Sequence, residues 1–342
     1  MKPINVGLIG FGLSGRYFQA PFLHCHPGYE VLAVKSSRKG EVNKLFPNAR
    51  VVQNEDEIIS DPGIDLIILA TPNTTHFPLA KKALQHNKHV IVEKPFVNNV
   101  KEGEELISLA KEKNKILTVF HNRRWDGDFL TLKKIVESGK LGNIVEFESH
   151  FDRFRPELNT ANWRTADAPG GGMFYDLGPH LLDQALVLFG LPDALFADIR
   201  IARDKGEVDD TFELILFYKK QRVTLKSGIF VKESGPRFII HGTKGSFVKY
   251  GMDPQEAELR KGILPNADDW GADEEKHYGL LNTDTRKKIV TEKGNYMGFF
   301  NNVYEAITGN APIEIEPAFA LENIRIIEKA FESNKTGKMV AL

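Results

Sequence analysis

Five short stretches in the first third of the chain are built mainly of consecutive apolar residues: Val6–Ile9, Glu30–Val34, Asp65–Ala70, His89–Val92 and Ile116–Phe120. Continuous apolar runs read as parallel strands buried on both faces, whereas a strand with one wet face alternates. Helical segments lie between them. Thr74–Gln85 carries Pro78 in its early turns, where a missing N–H is tolerated. Asn99–Lys113 opens with Asn99-x-x-Glu102, an N-cap residue with a carboxylate three positions on. Strands and helices alternating in this way predict a doubly wound parallel sheet, an α/β fold.

Beyond residue 121 the pattern changes. A helix over Phe129–Glu137 precedes Ile144–Phe154, which alternates strictly. Val145, Phe147, Ser149 and Phe151 fall on one face, and Glu146, Glu148, His150 and Asp152 on the other. That is a half-exposed strand of an antiparallel sheet. Thr211–Tyr218, Val223–Phe230 and Arg237–His241 read as further strands, with a turn at Gly242–Gly245. Two helices, Tyr296–Ile307 and Ala318–Glu332, close the chain, and Pro265–Glu275 reads as its longest loop. The change of pattern predicts a first domain over 1–121 and a second over 122–342, with the C-terminal helices able to pack back on the first.

The first strand ends in Gly10-Phe11-Gly12-Leu13-Ser14-Gly15 and a helix follows. In this context the glycines suit a tight turn, a close approach to a pyrophosphate and close helix–strand packing. The helix N-terminus adds N–H groups for the phosphates. A carboxylate usually ends the second strand where the ligand is NAD. Here that strand ends Lys35-Ser36-Ser37-Arg38, with hydroxyl donors and a guanidinium fork. NADP is therefore expected, with NAD as the second choice.

Two more features follow strand ends, where ligands of open parallel sheets bind. Thr71-Pro72-Asn73-Thr74-Thr75-His76 follows one strand and Glu93-Lys94-Pro95 another. Pro95 restricts the Lys94 backbone and is a candidate for a cis bond. Further on, Gly170-Gly171-Gly172 leads to Asp176-x-x-x-His180. On a helix these two share a face, and a carboxylate beside a histidine suits a general base. The same spacing also fits a buried histidine satisfied by a carboxylate, or a metal pair, for which no third ligand is apparent. No metal is expected.

The chain has 342 residues, 45 basic and 46 acidic, for a net charge of −1. That balance argues against a polycationic nucleic-acid binder or a basic membrane-surface protein. No apolar run approaches a membrane span, and no secretory leader is seen, so a cytoplasmic protein is expected. Cys25 is the one cysteine, which excludes an internal disulfide framework and the cysteine-ligated zinc dehydrogenase design. None of the eight tyrosines has lysine four residues on, which excludes the Tyr-x-x-x-Lys dehydrogenase design.

Together, Gly10-x-Gly12-x-x-Gly15, Thr71-Pro72-Asn73 with His76, Glu93-Lys94-Pro95 and Asp176-x-x-x-His180 after the glycines resemble the glucose–fructose oxidoreductase/inositol dehydrogenase (Gfo/Idh/MocA) family over essentially the whole chain. The stretches 119–126, 152–156, 175–180 and 249–256 resemble its NADP-dependent scyllo-inositol dehydrogenase subgroup. The resemblance implies a Rossmann dinucleotide-binding domain, then an α/β domain with a large, mostly antiparallel open sheet that joins subunits into a homodimer or homotetramer. It implies Lys94, Asp176 and His180 as catalytic residues acting on a CH–OH group of a polyol, cyclitol or sugar. Cofactor contacts are expected from Gly10, Phe11, Gly12, Leu13, Gly15, Ser36, Ser37, Arg38, Thr71, Pro72, Asn73, His76, Glu93 and Lys94. Substrate hydroxyls are expected at Arg124, Trp125, Asp126, Asp152, Trp163 and Arg164, the last two resembling the family's tryptophan–arginine pair. A sugar- or dinucleotide-sensing regulator of the same fold, or a reductase of a non-sugar substrate, is the competing expectation.

Overall fold

Strands β1 (Ile4–Ile9), β2 (Tyr29–Lys35), β3 (Arg50–Val52), β4 (Leu66–Leu69), β5 (His89–Val92) and β6 (Leu117–Val119) form a parallel sheet ordered β3-β2-β1-β4-β5-β6. This is the strand order of the dinucleotide-binding Rossmann fold. The computed structural model describes residues 3–158 and 169–342. Consecutive residues of β4 and the last three of β5 are shut from solvent, which is why these strands read as unbroken apolar runs. β3 was not among the predicted strands; it has three residues, one of them exposed, at the edge of the sheet.

The helix after β1 opens as a wide π turn, Gly15–Gln19, and continues as α1, Ala20–Cys25. α2 (Lys39–Leu45), α3 (Asp56–Ile59), α4 (His76–Gln85) and α5 (Val100–Glu112) follow. Pro78 is the third residue of α4, where its missing N–H has no partner to lose. Asn99 caps α5 by accepting from the Glu102 N–H at 3.0 Å. The Glu102 carboxylate reaches back one residue further than a capping box requires, accepting from the Asn98 N–H at 3.3 Å.

The compact unit around this sheet comprises Met1–Trp125, Pro254–Gly271 and Asn295–Glu322. Its late segments are part of its core. Phe22 of α1 stacks on Phe300, with ring centroids 5.1 Å apart and planes 5° apart. A Cβ on Gly103 of α5 would lie 2.3 Å from Leu321 Cδ1, so helix and segment meet at a residue with no side chain.

The second unit comprises Asp126–Asp253, Ala272–Gly294 and Asn323–Leu342. Its strands are β7 (Ile144–His150), β8 (Ala194–Arg200), β9 (Thr211–Phe217), β10 (Arg222–Gly228), β11 (Phe238–Gly242), β12 (Gly245–Lys249), β13 (Gly279–Asn282), β14 (Arg286–Ile289) and β15 (Val340–Ala341). They form a nine-stranded sheet ordered β14-β13-β12-β11-β7-β10-β9-β8-β15, antiparallel except for the β7–β10 pair. One row of cross-strand neighbours, Leu195, Leu216, Val223, Phe147, Ile240 and Phe247, is wholly buried. The next row is half-exposed, which is the alternation of a sheet with one covered face.

β7 stops at His150, short of the predicted end at Phe154, although the Phe151 and Arg153 N–H groups still donate to Lys226 O and Gly228 O at 2.9 Å. α6 (Gly127–Glu137) precedes it, and α7 (Met173–Phe189) packs on β9 and β10. Phe174 of α7 packs against Phe212 and Phe331 at 4.9 and 5.6 Å.

Candidate active site

Parallel strands all deliver their following loops to one edge of the sheet. The order β2-β1-β4-β5 therefore aligns Ser36–Arg38, the glycine turn, Thr71–Asn73 and Glu93–Lys94 side by side. β1 and β4 are the neighbours at which the strand order reverses, and such a crevice takes the ligand.

The local geometry requires glycine at Gly10 and Gly15 but not at Gly12. Gly10 has φ +101°, and a Cβ there would lie 2.3 Å from Ala70 O. A Cβ on Gly15 would lie 2.1 Å from Gly10 O, so this glycine permits the helix to start against the strand. A Cβ on Gly12 would meet nothing within 4 Å. Gly12 is thus free of any packing requirement, and its exposed backbone leaves an open approach over the helix N-terminus. Phe11 is buried, while Gly12 and Leu13 stand exposed at the crest. Gly12 O already accepts from the Arg16 N–H at 3.0 Å, so the N–H groups between them lie in the helix's first turn, without intrahelical partners. A pyrophosphate fits this cradle.

Glu93 ties the turn to the end of β5. Its Oε1 accepts from the Ser14 hydroxyl and from Gln19 Nε2, the latter at 3.0 Å. Its Oε2 accepts from the Lys94 N–H at 3.2 Å. Burial pushes the Glu93 carboxyl up, while the Ser14 hydroxyl and the Lys94 charge act in the opposite direction. Glu93 therefore organises the turn rather than presenting an unoccupied carboxylate. Lys94 is half-buried, and the Lys94–Pro95 peptide is cis.

His76 is fully enclosed, with Nδ1 2.8 Å from Pro95 O and Nε2 3.1 Å from Thr71 O. Burial pushes its pKa down to about 4, so the ring is neutral and carries one proton, which belongs on the shorter contact. It pins the loops after β4 and β5 to each other. Thr71 Oγ1 lies 2.6 Å from Thr75 Oγ1, Pro72 is exposed and Asn73 is buried.

At the end of β2, Ser36 Oγ accepts from the Arg38 N–H at 2.9 Å, shaping the loop, and Ser37 and Arg38 are exposed. Arg38 and Arg16 converge on one carboxylate: Glu41 receives Arg38 Nη1 at 3.0 Å and Arg16 Nη1 at 2.8 Å. Two guanidinium groups held by a single carboxylate carry one excess positive charge beside the glycine turn. Arg16 and Glu41 had no sequence signal, since their meeting depends on α2 packing beside the first helix.

In the second unit, α7 places Asp176 in its first turn and His180 one turn on, so the two share a face. Pro179 lies inside the helix between them and withholds an N–H from Tyr175 O, yet the helix runs on unbroken. His180 is buried, and Asp176 Oδ2 lies 3.7 Å from Arg153 Nη1. Asp176, Gly172, Met173, Asp209, Arg153 and Arg203 border a cleft of about 200 Å³ within this unit. Gly170 and Gly172 have φ +76° and +94°, values that favour glycine. Among the described residues no group of three or more His, Cys, Asp or Glu is placed to hold a metal ion.

The expected substrate residues fall in both units, Arg124 and Trp125 in the first and Asp126 and Asp152 in the second. Arg124 is buried with its guanidinium 4.8 Å over the Phe319 ring, and Trp125 packs edge-on to Phe299 at 5.8 Å. Asp126 is buried just before α6. Asp152 accepts from the Gly228 N–H at 2.9 Å and faces His150 Nδ1 at 3.3 Å. Trp163 and Arg164 lie outside the described residues.

Fold and cradle define an oxidoreductase with a Rossmann NAD-binding domain. Residues 4–121 match the oxidoreductase family's NAD-binding Rossmann fold, and residues 133–342 match its C-terminal alpha/beta domain. The chain belongs to the Gfo/Idh/MocA oxidoreductase family. It is 40% identical to the scyllo-inositol 2-dehydrogenase (NADP(+)) IolW of Bacillus subtilis, over 99% of this chain and 96% of that protein. It is 42% identical to the uncharacterized oxidoreductase YdgJ of Escherichia coli, over 97% of this chain and 96% of that one. The solved structure of the Bacillus subtilis oxidoreductase YvaA superposes with a TM-score of 0.97 at 40% identity, covering 100% of this chain and 99% of that chain.

Proposed function

We propose that this protein is an NADP-dependent dehydrogenase that moves a hydride between a secondary alcohol of a cyclitol, polyol or sugar and NADP, with scyllo-inositol and its 2-keto form as the favoured pair. The observation that carries the reading is the end of β2: Lys35-Ser36-Ser37-Arg38 contains no carboxylate of its own, and the nearby Glu41 is engaged by both Arg38 and Arg16. A 2′-phosphate suits that excess positive charge, and a carboxylate at this place would repel it. The kinship with a relative named as an NADP-dependent scyllo-inositol dehydrogenase supports the substrate class.

The bound nicotinamide supplies the hydride acceptor or donor. As the alcohol is oxidised, His180 takes the hydroxyl proton while the C–H electron pair leaves as hydride. Asp176, one helical turn before it, fixes the imidazole tautomer and stabilises the imidazolium. Lys94 donates a hydrogen bond to the reacting oxygen and stabilises its alkoxide character. In the reverse direction His180 returns the proton to the ketone oxygen. Self-association through the exposed face of the nine-stranded sheet completes the reading, since Phe196, Ile215, Ile239, Val248 and Leu280 are half-exposed there.

The test is turnover of NADP and NAD against a panel of inositols, aldoses and ketoses. NADP-dependent oxidation of a cyclitol is expected. Binding of NADPH without turnover across the panel would replace the enzyme by a sensor of the same fold.

A further inference from the structure

The helix that carries Asp176 and His180 has no cap of its own. Its N-cap residue, Gly172, has no side chain to offer. The cap arrives from a different segment: Asp209 Oδ2 accepts from the Phe174 N–H at 2.6 Å, and Asp209 O accepts from the Met173 N–H at 2.8 Å. One residue thus satisfies two of the N–H groups that a helix leaves open at its start, one of them with a charged acceptor. Gly172 makes the approach possible, since a Cβ there would lie 2.1 Å from Asp209 Oδ1. The rest of α7 is held separately. Phe174 packs on Phe212, and Gln184 Oε1 accepts from Arg237 Nη2 at 2.9 Å. Loss of the cap would therefore loosen the first turn, where Asp176 lies, and leave the body of the helix in place.

We propose that Asp209 is a positioning residue of the reaction: it locks the first turn of α7 and so holds Asp176 in register with His180. The inference rests on the catalytic roles proposed above for that pair. Asp209 touches neither of them by hydrogen bond in the structure; it acts through the backbone of Met173 and Phe174.

Asp209→Ala, Asp209→Asn, Gly172→Ala and His180→Ala are compared with the parent, using NADP and scyllo-inositol. Misplacement of a catalytic group by about 1 Å costs up to about a hundredfold. Asp209→Ala is accordingly expected to lower kcat by about tenfold or more with the NADP Kd unchanged. Asp209→Asn, whose amide oxygen still accepts from Phe174, restores most of it. Gly172→Ala, which drives a methyl into the Asp209 carboxylate, lowers kcat in the same way. A readout without substrate is the NMR titration of the His180 ring, assigned by its disappearance in His180→Ala. Its midpoint falls in Asp209→Ala, as Asp176 leaves it, and returns in Asp209→Asn. An unchanged midpoint in Asp209→Ala and Gly172→Ala overturns the inference, whether or not scyllo-inositol turns over. If His180→Ala keeps full turnover, the catalytic reading fails instead, and the inference falls with it.

Discussion

Glu93 Oε1 accepts a hydrogen bond from Gln19 Nε2 at 3.0 Å, joining the end of β5 to the first helix across 74 residues of sequence. Gln19 is fully buried, and Glu93 nearly so. Gln19→Leu keeps the volume but deletes the donor. Oε1 keeps the Ser14 hydroxyl, so the loss is that of one hydrogen bond, about 0.5–1.5 kcal/mol, or about 1.5–3 kcal/mol where the acceptor is charged. The variant should show a lower Tm and a higher KM for NADP, because Ser14 shares the same carboxylate. A Tm equal to that of the parent would show that this bond does not hold the turn.

The glycines of the turn separate folding from binding. Gly12→Ala adds a methyl where nothing lies within 4 Å, so the Tm should not change. That methyl occupies the approach proposed for the pyrophosphate, and NADP binding should weaken about tenfold or more, about 1.4 kcal/mol. Gly15→Ala has the opposite signature. Its methyl would lie 2.1 Å from Gly10 O, an overpacking that costs about 1–3 kcal/mol or more and lowers the Tm. Thermal melts with and without NADP distinguish the two variants, and equal Tm losses would remove the distinction.

The legible parts of this chain are those whose causes are local in sequence. β4 and β5 are buried on both faces and so read as apolar runs, and Asn99 with Glu102 announces the start of α5. The glycines, Lys94, Asp176 and His180 stand in recognisable spacings. β3 and β15 are too short to make a pattern, and β14 is a polar edge strand. The parallel β7–β10 pair joins strands more than seventy residues apart, which periodicity does not express. Arg16, Gln19, Glu41 and Asp209 carry no sequence signal, because each acquires its role only through a partner brought near by folding. His76 is expected as a cofactor contact from its place in the motif; in the structure its ring lies between the Pro95 and Thr71 carbonyl oxygens.

Arg38 and Arg16 meet on Glu41, so their contributions to phosphate binding should couple. A hydrogen bond to a charged group contributes about 1.5–3 kcal/mol. Arg38→Ala and Arg16→Ala should each raise the KM for NADP about tenfold or more and leave that for NAD nearly unchanged. The double variant should lose less than the sum, because the two groups share one anchor. Equal losses for NADP and NAD would remove the 2′-phosphate assignment.

The half-exposed row of the second sheet gives the test of self-association. Ile239 lies between Glu148 and Val248 as cross-strand neighbours, near the middle of that face. Ile239→Lys adds a charge to a surface that is already partly wet, so folding should tolerate it. If the face joins two copies, Ile239→Lys buries an ammonium beside Glu148, and the cost of taking both charges from water can exceed their attraction, so the assembly should weaken or dissociate. Light scattering on the eluting protein measures this, and an unchanged particle mass would exclude the face as the interface.

Acid should destabilise the first unit through its histidines. His89 Nδ1 accepts from the Ile116 N–H at 3.0 Å, a bond that only the unprotonated nitrogen makes. Burial, reinforced by Lys115, pushes its pKa down to about 4, against 6.5 for the free side chain. The native state therefore binds fewer protons than the unfolded one. Stability from this group is fully present above pH 6.5 and is lost as the pH falls toward 4, by up to about 3 kcal/mol. His76, also pushed to about 4, acts with the same sign. Asp209 acts with the opposite sign. It lies in the second unit, where burial raises it from 3.8 to about 6, so its contribution there is present at low pH and fades as the pH rises through 6. His89→Asn keeps an acceptor for Ile116 and cannot titrate. Its Tm should therefore fall less steeply than that of the parent between pH 6.5 and 4.5, and parallel curves would mean that His89 is not a source of the acid sensitivity.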